Sequence, residues 1–160
     1  MGNNKGFTLI ETIIYIALFA MVIGGGLVAA HQIVQATDAS YNHIILQEEA
    51  NFMFRKIDWA LTGATSISAS GSTLTVFKLI SGVSTPLVFT LSGSDITLQR
   101  GGAPASILNS SSIGASSVLF AKTTGINGKP DSIASSFTLT TIQNGRPATQ
   151  TFNFTKYLRK

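Results

Sequence analysis

Between Thr12 and Ala30 the chain carries no charged residue, and most positions are apolar. At about 1.5 Å of rise per residue, a helix of this run is just long enough for a hydrocarbon core of roughly 30 Å. Such a segment has few options. Its backbone must be hydrogen-bonded internally, and its side chains must be covered by lipid or by protein. The run is longer than the apolar region of a secretory signal, about 7–15 residues, and Ala29-Ala30-His31 is a poor small-residue cleavage site. A retained helix is therefore expected. Lys5 is the only basic residue before the run and Arg55 is the next, with Asp38, Glu48 and Glu49 between them. That asymmetry predicts a single pass with the N-terminus in the cytoplasm and the remainder outside.

The stretch from His31 to Leu61 contains neither Pro nor Gly and reads as a continuation of the same helix. Leu46, Ala50, Met53, Ile57 and Ala60 recur at intervals of four, three, four and three, with Phe54 and Leu61 beside them. This spacing makes one apolar stripe. Glu48, Glu49, Arg55, Lys56 and Asp58 supply the polar side, and Gly63 is a plausible stop.

Beyond Gly63 the apolar period becomes two. Segments 73–77, 87–91, 96–98, 118–120, 137–142 and 151–154 are rich in β-branched and aromatic residues. Gly71-Ser72, Gly93-Ser94, Gly101-Gly102, Asn127-Gly128 and Asn144-Gly145 are turn signals between them, and Asn144-Gly145 suits a two-residue hairpin. The Ser-rich stretches 109–112 and 116–117 read as loop. The expected fold is α+β: one long N-terminal helix, half membrane-spanning and half amphipathic, packed on a C-terminal antiparallel β-sheet.

Charged residues make up only 11% of the chain, against roughly 25% in average proteins. Ser, Thr, Asn and Gly take their place, which suits an exported surface. The net charge of +4 reads as thinly spread, so no specific nucleic-acid site is expected. The absence of cysteine removes disulfides and thiolate chemistry.

The N-terminus reads Lys5-Gly6-Phe7-Thr8-Leu9-Ile10-Glu11: a short basic leader ending in Gly, then an apolar helix with one early carboxylate. This resembles the prepilin signal shared by type IV pilins and type II secretion pseudopilins. The motif covers about the first 30 residues, and the long helix with a small β-rich head is similar to the family over the rest. The resemblance implies segments 1–6 (leader), 7–30 (membrane or filament-core helix), 31–61 (amphipathic continuation) and 62–160 (head). It also implies that a prepilin peptidase cuts between Gly6 and Phe7 and methylates the new amine on Phe7. Glycine leaves the scissile backbone open to close approach.

A carboxylate near the middle of a bilayer costs about 2.5–3.5 kcal/mol. Glu11 would lie only about 6 Å below a terminus at Phe7, where snorkelling relieves it. In a filament core it needs a partner, and the resemblance implies the amino group of Phe7 on an adjacent subunit. Read without that resemblance, Glu11 is equally a helix-terminal carboxylate facing the helix dipole.

Gly24, Gly25 and Gly26 each weaken a helix by roughly 1 kcal/mol relative to Ala. Many type IV pilins carry Pro in this part of the helix, whereas this chain has none between Phe7 and Leu61. The triplet reads either as a substitute weak point or as a close-packing surface of small residues. Arg55-Lys56-Ile57 and the terminal Tyr157-Leu158-Arg159-Lys160 resemble those of minor subunits.

His31 and His43 lack metal-ligand spacing, and no phosphate loop or nucleophile elbow is present. No enzyme, cofactor or metal is expected. The implied partners are sister pilin subunits, prepilin peptidase and an assembly platform in the membrane. The implied location is the inner membrane and then an extracytoplasmic filament for secretion, DNA uptake, motility or adhesion. A signal-anchored binding module that never polymerises is the alternative.

Overall fold

The computed structural model describes Gly6 and residues 8–126, 130–143 and 146–158. One helix, α1 (Leu9–Leu61), is followed by eight strands: β1 (Ala64–Ser70), β2 (Thr73–Ile80), β3 (Val83–Ser92), β4 (Asp95–Arg100), β5 (Ser106–Ile107), β6 (Ile113–Thr123), β7 (Ser132–Gln143) and β8 (Arg146–Tyr157). The chain divides after Ser40 into two compact units.

In the first unit every large apolar side chain from Leu9 to Val34 is exposed. The sequence places apolar residues all round this part of α1, and none of its most apolar window is buried by the rest of the chain. By length and composition it can cross a membrane.

The second unit is α+β. Strands β1 to β5 form one antiparallel meander and β6 to β8 a second. The sequence reading expected a single sheet; the strands divide because Gly101 to Ser112, with only the short β5 inside it, breaks the chain of hairpins. The sheets meet at turns, where Phe120 N–H donates to the Gly71 carbonyl at 2.7 Å and Ala115 N–H to that of Ser94 at 2.8 Å.

The expected helical stripe is the core. Leu46, Ala50, Met53, Ile57 and Ala60 are at most 1% exposed. They join Leu74, Val76, Leu87 and Phe89 of the first sheet and Val118, Phe120, Phe137 and Leu139 of the second. Each fully buried large apolar side chain contributes about 1.5–3 kcal/mol. Register explains the pattern: Leu74 faces Phe89 and Phe89 faces Leu98, so one row of each strand points inward.

The helix stops where expected. Gly63 adopts φ +73°, and Thr62 N–H still donates to the Asp58 carbonyl at 2.9 Å. Three features differ from the sequence reading. Residues 64–70, Ala-Thr-Ser-Ile-Ser-Ala-Ser, form β1. Ser116 and Ser117 lie inside β6 at a register irregularity, where their hydroxyls donate to the carbonyl and hydroxyl oxygens of Thr138. Ser81-Gly82, a turn dipeptide not among the turns expected from sequence, joins β2 to β3 with Ile80 opposite Val83. Both residues have positive φ, 52° and 80°, as a type I′ turn requires. The turn expectations at Asn127-Gly128 and Asn144-Gly145 fall outside the described residues.

Candidate functional site: the N-terminal turn of α1

Thr8 directly precedes the first residue of α1. Its Oγ1 accepts the backbone N–H of Glu11 at 3.3 Å, and its carbonyl accepts Thr12 N–H at 3.2 Å. Thr8 is therefore the N-cap, satisfying one of the donors that open a helix. Glu11 stands three positions on, the spacing of a capping box. The residue is half-buried, and its Oε1 accepts the Tyr15 hydroxyl at 3.3 Å in an exposed bond, one helical turn away. Among the described residues Glu11 forms no ion pair.

This places one carboxylate at the positive end of a helix whose surrounding side chains are apolar and exposed. Gly6 is exposed, and Phe7 lies outside the described residues. Gly24, Gly25 and Gly26 sit within α1, and a Cβ added at any of them would meet nothing within 4 Å. Among the described residues no contact therefore requires glycine there.

Residues 1–27 match the family described as the prokaryotic N-terminal methylation motif. The chain opens on a prepilin-type signal. This is the signal of type IV pilins and pseudopilins. It indicates a type IV pilin-like, structural protein processed by prepilin peptidase, and with the apolar helix it fits an inner-membrane anchored protein. No curated protein and no solved structure matches the chain.

The sequence alone singles out Gly6, Phe7 and Glu11 within the matched segment but not Thr8 and Tyr15, the two side chains bonded to Glu11's turn. Thr8-x-x-Glu11 was the available signal for the cap, and the four-residue spacing from Glu11 to Tyr15 for the hydroxyl. His31 shares a 2.6 Å contact with Gln35 through their side-chain nitrogens. Among the described residues no cluster suits a metal ion.

Proposed function

We propose that the chain is a structural subunit of a type IV pilus-like or pseudopilus filament. It waits in the inner membrane with its head outside and is cut between Gly6 and Phe7. It is then drawn into a filament through the helix that follows. The observation that carries this reading is the pairing of a prepilin signal with a helix whose large apolar residues from Leu9 to Val34 are exposed among the described residues. Lipid covers such a surface before assembly and sister helices cover it afterwards.

Segment roles follow. Residues 1–6 are the leader, 7–30 the membrane and filament-core helix, 31–61 its amphipathic continuation, and 62–160 the head. Burial against the strands supports the outer part of the third, since among the described helix residues the first buried ones are Asn42 and Leu46. Glu11 is the assembly residue. Its carboxylate would accept the amino group of Phe7 on a neighbouring subunit, which offsets the cost of burying it. Tyr15 and Thr8 would hold the turn that presents it.

The test is site-directed cross-linking in cells carrying the assembly machinery. Cysteine pairs in the 7–30 helices should give ladders of multimers that need the platform. A strictly monomeric pattern in membranes would favour an anchored module that never polymerises.

A further inference from the structure

Beside the core stripe, Phe52, Arg55, Lys56 and Trp59 fall at intervals of three, one and three, so they share a second face of α1. This face borders Leu87 of β3 and Leu98 and Arg100 of β4, and together these seven residues line an open groove of about 560 Å³. Ligand sites range over about 300–1,000 Å³. Register places Arg100 there: it pairs with Leu87 and lies two residues beyond Leu98, on the helix-facing side of β4.

The chemistry of the lining is one-sided. Three cations and two aromatic rings contribute, and no carboxylate does. Among the described residues Arg55, Lys56 and Arg100 form no ion pair. Lys56 Nζ lies 5.3 Å from the Phe52 ring centre. A fourth cation, Lys78, lies 4.6 Å over the Trp59 ring and donates to the Trp59 carbonyl at 2.6 Å. Four of the chain's 11 basic residues thus gather around one apolar floor. Snorkelling of long side chains over apolar surface accounts for their stems. It does not account for a lining without a carboxylate, the nearest acids, Glu48 and Asp58, bordering Arg55 on its other side, or for a tryptophan left 45% exposed.

The geometry points to a binding site for single-stranded nucleic acid, with bases stacking on Trp59 and Phe52 and phosphates held by Arg55, Lys56 and Arg100. Rings offer sequence-tolerant platforms for bases, and cations track the backbone. An acidic polypeptide would satisfy the charge but leave the rings without a planar partner. Two of the three unpaired cations are arginines, whose planar fork suits phosphate and stacks on rings. Sequence alone does not reveal this groove, because three of its residues come from β3 and β4, and Arg55 and Lys56 read only as part of the helix's polar side. The inference does not depend on filament assembly.

Trp59 is the sole tryptophan, so its fluorescence reports the groove directly. The full chain in neutral detergent is titrated with fluorescein-labelled oligothymidylate, reading anisotropy and tryptophan quenching together, with polyglutamate as a parallel ligand. The expected result is saturable quenching that weakens with salt. Trp59→Ala should weaken anisotropy-detected binding by roughly tenfold or more. The exposed Arg100→Gln should weaken it several-fold and lower the salt slope by about one. Lys122→Gln, outside the groove, should leave it unchanged. Equal quenching by polyglutamate would overturn the assignment in favour of an acidic polypeptide. Binding without quenching, or binding indifferent to Arg100→Gln, would overturn it outright.

Discussion

The ring of Phe54 lies 5.0 Å from that of Phe154, nearly parallel at 24°. Phe54 also sits 5.4 Å from Phe137, and Phe137 meets Phe120 edge-on at 5.9 Å. One helical side chain thereby ties α1 to two strands of the second sheet. Aromatic pairs add about 0.5–1.5 kcal/mol beyond their burial. Replacing Phe54 with Ala removes both pairs and most of a large apolar side chain. A loss of about 2–4 kcal/mol is expected in denaturant unfolding of the head, with Phe54→Leu losing less.

Ser81 tests the turn chemistry. Its φ of 52° is the left-handed region that Asn and Gly tolerate better than Ser. Its Ile80–Val83 hairpin needs that conformation. Ser81→Asn should raise stability by about 0.5–1 kcal/mol in the same unfolding measurement.

Much of this second unit was legible in the sequence, for a physical reason. The stripe from Leu46 to Ala60 is buried as its spacing requires, because helical period and burial are the same information. Strands β2, β3 and β4 announce themselves by inward-facing Leu, Val, Phe and Ile. Strand β1 does not: its side chains are small and polar, and its place comes from pairing with β2 rather than from its own propensity. Ser116 and Ser117 carry no strand signal for the same reason, and pairing with β7 places them in β6. The split into two sheets was illegible because strand pattern does not encode which edges pair. At the N-terminus the motif residues were legible, while the cap by Thr8 was overshadowed by the more specific signal around it.

Glu11 separates processing from assembly. Glu11→Gln keeps the size of the side chain and its bond from Tyr15 while removing the charge. Cleavage after Gly6 should proceed as in the wild type, and the sheared filament fraction should fall by tenfold or more. Normal filament yield would remove Glu11 from the assembly contact.

The glycine triplet gives a further handle. Since an added Cβ meets nothing at these positions, replacing all three by Ala should stabilise the helix by roughly 2–3 kcal/mol. If the triplet is a weak point, amide exchange at 24–26 slows and filaments still form, with greater stiffness. If sister helices pack against the glycines, filaments are lost instead.

Gly6 and Phe7 carry the central claim. Intact-mass and N-terminal analysis of the protein, from cells containing prepilin peptidase, should find a chain that begins at methylated Phe7. The Gly6→Ala variant should keep its first six residues. Wild-type protein that retains Met1 and the leader in the presence of the peptidase would contradict the account.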